Sequence, residues 1–134
     1  MSVSPASRGR ARSHRFPRAR RITRSREIRR LFQRGKRSRT AHLDVFDSSS
    51  PVSHPRAGIV VPRHKHTVVE RNRLKRRLRE IVRQQVLPRL DEAGLAVDVL
   101  VRARREAYDA TYATLERELI EWTDRRCSRG SSSR

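Results

Sequence analysis

The sequence predicts an α+β domain in which three helices pack against one small, mostly antiparallel sheet. Two observations carry this reading. HLDVFD and LAVDVLVRA alternate with the two-residue period of strands, and RAGIVVP is a short apolar run bounded by turn residues; three other stretches repeat apolar residues every three to four positions, as helices do. These stretches follow one another as helix, strand, strand, helix, strand, helix, with room for a third early strand. That order is neither the regular alternation of a parallel α/β sheet nor an all-β pattern.

Each element has a local reason. Ser25 is placed to cap a first helix in which Ile28, Leu31 and Phe32 share a face, and Gly35 ends it. In HLDVFD, Leu43 and Val45 point to one side and Asp44 and Phe46 to the other. SSSPVSHP is a loop. Thr67 to Leu87 reads as a helix, opened by Thr67 and Glu70 at capping-box spacing and stopped by Pro88. LAVDVLVRA places Val97, Val99 and Val101 on one face of a strand. Tyr108, Tyr112, Leu115, Leu119 and Trp122 recur at steps of four and three and predict a last amphipathic helix.

Composition bounds what such a domain does. Of 134 residues, 34 are Lys or Arg and 14 are acidic, a formal net charge of +20. Self-repulsion of that size opposes folding, so the charge points to a polyanionic partner, nucleic acid first and an anionic membrane surface second. The longest apolar run is shorter than the roughly 20 residues that cross a bilayer, and no apolar stretch follows the basic N-terminus, so neither a membrane span nor a secretory signal is expected. The single cysteine, Cys127, cannot form an internal disulfide, and the expected compartment is the cytoplasm. Residues 1–40 carry 15 of the basic residues and one acid, Glu27; residues 1–20 read as a disordered basic arm, 21–125 as the folded domain and 126–134 as a disordered tail.

The informative stretch is residues 63–83, RHKHTVVERNRLKRRLREIVR, with nine basic residues against two acids. On a helix at about 100° per residue, Leu74, Leu78, Ile81 and Gln85 fall in one arc with Val82 beside it. Asn72, Arg76, Arg79 and Arg83 fall opposite, flanked by Arg73 and Lys75, while Arg71 projects nearer the apolar side. A mixed Glu/Arg run would be an ordinary solvated face, but two acids are too few to pair these cations. Guanidinium suits phosphate because its planar fork grips two oxygens and stacks on bases. Charge and arc do not choose between RNA and DNA, since basic helices also read major grooves.

VVPRHKHTVVERNRLKRRLRE resembles the signature of the bacterial ribonuclease P protein family. A strand leads into Arg71-Asn72-Arg73, then Lys75-Arg76, then Arg79 and Glu80; upstream, RITRSREIRRLFQRGKR is similar to the family's first helix, with Ile28, Phe32 and Gly35 at characteristic positions. The resemblance spans about residues 21–125. It departs where the family has Ser-Lys-Lys and Gly-Asn: Pro62, Arg63 and His64 replace the first, His66 and Thr67 the second. Charge is largely kept, but a turn glycine is lost. The resemblance implies a left-handed crossover around the Arg-rich helix, against the usual rule. It implies that Arg63, Lys65, Arg71, Asn72, Arg73, Lys75, Arg76, Arg79 and Arg83 face a catalytic RNA. It also implies a cleft between the sheet and the first helix, where Phe32 and Phe46 hold the single-stranded 5′ leader of precursor tRNA. Stacking there demands no particular sequence. Phe32 reads equally as a core residue of its helix; alternation favours exposure for Phe46.

No nucleophile motif or Gly-rich phosphate loop is present in the sequence, and His64 and His66 just before a helix cap make a poor metal pair. The resemblance implies no catalytic residue and no cofactor bound by the protein alone, with Mg²⁺ in the holoenzyme held mainly by the RNA. The implied partners are the catalytic RNA and precursor tRNA, with no membrane and no obligate protein partner. A ribosomal RNA-binding protein shares the size and charge but needs no leader-binding aromatics. A helix-based DNA-binding regulator is disfavoured because the basic helix follows a strand and not another helix.

Overall fold

The computed structural model describes residues 16–129. Four strands, β1 (Lys36–Arg39), β2 (Leu43–Ser49), β3 (Arg56–Val60) and β4 (Val97–Ala103), form one sheet in the order β1-β2-β4-β3. β1–β2 and β2–β4 are antiparallel, β3–β4 parallel. The helices are α1 (Ser25–Arg34), α2 (Val68–Ile81), α3 (Leu87–Glu92) and α4 (Tyr112–Arg129). A π turn, Val82–Val86, joins α2 to α3 in one continuous helix, so three helical bodies pack on the sheet.

Strand alternation sorts the apolar residues into two layers. Leu43, Val45, Val99 and Val101 on one face of the sheet meet Leu74, Leu78, Ile81, Leu115, Leu119 and Trp122 in the main core. On the other face Phe46 and Leu100 pack under Ile22 and Leu31, with Ile28, Phe32 and Val60 against them. Each fully buried side chain of this kind is worth ~1.5–3 kcal/mol relative to exposure.

The room left for a third early strand is filled by β1, at Lys36–Arg39 directly after α1. Several expectations need correcting. Arg24, not Ser25, is the N-cap of α1, without a side-chain capping bond. Gly35 does end α1, in an extended conformation; a Cβ there would sit 2.6 Å from the Leu31 carbonyl oxygen, so close approach demands glycine. Pro88 does not stop the second helix. It lies in the first turn of α3, after a π turn in which the Leu87 N–H reaches the Val82 carbonyl. The wider π turn accommodates a ring that would otherwise collide with the carbonyl four residues back. Tyr108 belongs to a 3-10 turn, Arg105–Asp109, preceding α4.

Both domain boundaries also move. Phe16 is buried in the main core, Arg18–Arg20 form a 3-10 turn, and Arg20 pairs with Asp91 at 2.9 Å. The rest of the expected basic arm lies outside the described residues. At the other end α4 continues to Arg129, because Arg126 is buried and bonded to Asp47 at 2.9 Å. Cys127 therefore sits on a helix, half-buried, with burial raising its thiol pKa. Residues 130–134 of the expected tail lie outside the described residues. Among the described residues no helix is long and apolar enough to cross a membrane.

Candidate nucleic-acid interface

The basic helix begins at a tightly held turn. Thr67 and Glu70 form the capping box: the Glu70 N–H donates to the Thr67 hydroxyl at 3.1 Å, and the Thr67 N–H donates to the Glu70 carboxylate at 2.9 Å. The Thr67 N–H, followed by His66, holds the Glu70 carboxyl below its ordinary pKa. Just upstream, His64 (φ 47°) and Lys65 (φ 73°) both occupy the left-handed region, which costs about 1–2 kcal/mol for each non-glycine residue. The left-handed backbone therefore falls at His64 and Lys65 and not at His66. Surrounding bonds offset the strain: the His66 N–H donates to the Arg63 carbonyl at 2.8 Å and the Arg71 Nε to the Val61 carbonyl at 2.8 Å.

From this turn α2 turns Leu74, Leu78 and Ile81 into the core and exposes Asn72, Arg73, Arg76 and Arg79. Among the described residues no acid pairs with Arg73, Arg76 or Arg79. Arg63 and Lys65 are exposed on the preceding turn. Arg71 is half-buried and tied to the backbone, as its position near the apolar arc foretells. Lys75 is half-buried; desolvation, then Arg71 and Arg79, pushes its ammonium pKa down. A phosphate nearby would relieve that repulsion.

Arg83 does not belong to the stripe. Its side chain is 8% exposed and bonds Glu80, three residues back. Arg83 lies in the π turn, which packs against α4 beside Tyr112 and Glu116 and removes it from solvent.

The structure brings Phe32 and Phe46 together, edge to face at 5.0 Å. Phe46 lies opposite Leu43 and Val45, as alternation requires, but it is not a surface residue: α1 covers it and leaves it 5% exposed. Phe32 is only half-buried. Two arginines missed at the sequence level complete this place. Arg102 lies over the Phe32 ring at 5.6 Å and Arg37 over the Phe46 ring at 6.0 Å. Alternation in β4 carries the signal for Arg102, because it sets that residue on the Leu100 face, away from Val99 and Val101. A neighbouring opening of about 440 Å³ is lined by Arg37, Arg39, Arg102, Arg104 and Arg105 with only Asp44 and Glu106 as acids. A smaller cleft of about 240 Å³ runs between Ile28 of α1, Gly58 and Ile59 of β3, and Lys75 and Arg79 of α2, so the basic stripe borders the α1 cleft.

The exposed arginines of α2, and Arg102 beside the half-buried Phe32 ring, can hold phosphates and stack bases, whereas Arg37 and Arg39 share Asp44 at 3.4 Å each; these groups supply no nucleophile. Among the described residues no three His, Cys, Asp or Glu side chains converge as a metal-binding group.

Comparison with known proteins agrees with this geometry. The family model described as Ribonuclease P matches residues 16–126. The ribonuclease P protein component of Micrococcus luteus is 42% identical over 115 residues, covering 78% of this chain and 86% of that protein. That of Methylococcus capsulatus is 37% identical over 123 residues, covering 88% and 91%. The solved RNase P protein of Thermotoga maritima superimposes with a TM-score of 0.65 at 25% identity, covering 78% of this chain and 96% of that one. The Staphylococcus aureus RNase P protein gives a TM-score of 0.65 over 80% and 94%. The chain belongs to the ribonuclease P protein family, the protein part of the ribonucleoprotein endoribonuclease that matures the 5′ end of tRNA.

Proposed function

We propose that the exposed stripe of α2 grips the catalytic RNA and that the α1 cleft receives the 5′ leader of precursor tRNA. The observation that carries this is a set of exposed arginines, Arg73, Arg76 and Arg79, without acidic partners among the described residues. Asn72, Arg63 and Lys65 extend the same surface, with Lys75 and Arg71 at its inner margin. Phosphate contacts by these groups position the protein without reading sequence. In the cleft, a leader base stacks on the exposed part of the Phe32 ring or on the Arg102 guanidinium, and the neighbouring arginines take its phosphates. Phe46 supports Phe32 from below and is not itself a stacking surface.

On this reading the protein orients substrate and screens charge, and Mg²⁺ held by the RNA would supply stabilisation of the attacking and leaving oxygens. Mg²⁺ prefers oxygen ligands and retained waters, which RNA phosphates provide. The test is reconstitution. Protein alone should leave precursor tRNA intact, whereas protein added to catalytic RNA at low Mg²⁺ should restore cleavage at the mature 5′ end. RNase-resistant cleavage by the purified protein would refute the reading.

A further inference from the structure

We infer that His66 and Tyr108 form a positioning clamp that presents Arg63 and Lys65 to RNA as an extension of the α2 stripe. This rests on the stripe being the RNA-binding face. The two rings stack in parallel, 3.7 Å between centroids and 4° between planes, across a separation of 42 positions in the chain. His64 meets the same tyrosine edge to face at 6.5 Å. The Tyr108 hydroxyl donates to the Pro62 carbonyl at 2.6 Å, so one side chain holds the turn at two points. His66 also reaches Glu70 at 3.1 Å, locking the ring to the capping box. Arg63 is fastened from within, its Nε donating to the His66 carbonyl at 3.2 Å.

These contacts surround the only two non-glycine residues with left-handed backbone among the described residues, His64 and Lys65. Such strain persists only where the surroundings over-determine it, and it gathers at binding sites. Both cations of the turn remain exposed while its other side chains are occupied. The charges that act on Tyr108 are Arg71 and Arg63 against Glu70, and His64 shares an opening with Arg102, Arg104 and Arg105 against Asp44 and Glu106, an excess of positive charge that phosphate would neutralise. Histidine at 66 and tyrosine at 108 therefore act as a pair, holding the strained turn by ring stacking.

The test is a double-mutant cycle on affinity for the holoenzyme's own catalytic RNA, read as a function of salt, with full-length protein. R63Q/K65Q should flatten the salt slope by about two units, near 0.9 per phosphate contact. H66A should flatten it by about one unit or more and weaken binding by about threefold or more. In the R63Q/K65Q background H66A should change nothing further. H66F keeps a flat ring but not the Glu70 contact, so it should lose less than H66A; Y108F should lose less than Y108A. An H66A loss of equal size in both backgrounds would mean simple structural damage, and no loss in either would mean the clamp presents nothing; each overturns the proposal. If R76Q/R79Q also leaves affinity unchanged, the RNA-face reading fails and takes the clamp with it. If only R76Q/R79Q binds more weakly, the clamp alone fails.

Discussion

Replacing Phe46 with alanine removes a ring that is 5% exposed and packed among Ile22, Leu31 and Leu100, with Phe32 against it at 5.0 Å. Emptying such a site costs about 3–5 kcal/mol, a large part of the ~5–15 kcal/mol of a typical domain. Phe32→Ala differs. It gives up an aromatic pair worth ~0.5–1.5 kcal/mol and only part of a buried surface, but it deletes the ring offered to the leader. A lost base stack is worth ~1–3 kcal/mol, roughly a fivefold to hundredfold change in affinity. Urea unfolding and holoenzyme binding of precursor and mature tRNA separate the two roles. Phe46→Ala should lower the unfolding midpoint strongly and weaken both tRNAs together. Phe32→Ala should leave a milder unfolding change and weaken precursor tRNA alone. A Phe46→Ala protein with wild-type stability and a selective precursor defect would refute the assignment of pillar and contact.

Asp47→Ala would remove the buried carboxylate bonded to Arg126 at 2.9 Å, in a pair whose side chains are each 4% exposed. Breaking a buried pair from one side costs about 3–5 kcal/mol, so thermal melting should fall by many degrees; an unchanged melt would show the pair to be dispensable. Glu70 contributes through acidity. Its folded pKa is lowered, chiefly by the Thr67 N–H, so its contribution is complete above the ordinary carboxylate range and drains away as pH falls through the folded value. Glu70→Gln keeps the capping bond but cannot titrate, so its stability should fall less steeply on acidification. Parallel stability curves for the two proteins below about pH 4.5 would contradict the capping account.

How much of this was legible varies with the physics of each element. The capping box, the apolar arc of α2 and the two faces of β2 are local patterns, and they stand in the structure as the residues suggest. β1 was hidden because Lys-Arg-Ser-Arg contains no apolar residue; its pairing with β2 is carried by the backbone, and its side chains face mostly outward. Pro88 misled because a π turn, invisible in composition, absorbs it. Phe16 and Arg126 lie in polar stretches, and their burial depends on partners far along the chain, Asp47 being 79 positions from Arg126. The burial of Phe46 follows from α1 crossing the second face of the sheet, which alternation alone does not reveal. Arg83 was closer to legible, since Glu80 at i−3 is an ordinary helical partner. The His66–Tyr108 stack had no local signal at all.

The central claim is that α2 presents unpaired guanidiniums to RNA phosphates. The most direct measurement is the salt dependence of affinity for the catalytic RNA, compared across wild type, Arg76→Gln, Arg79→Gln and Arg83→Gln. Arg76→Gln and Arg79→Gln should each weaken binding and flatten the slope of log affinity against log salt by about one unit. Arg83, bonded to Glu80 and 8% exposed, should leave the slope at its wild-type value. Unchanged slopes for Arg76→Gln and Arg79→Gln, or a loss at Arg83→Gln equal to theirs, would contradict the account.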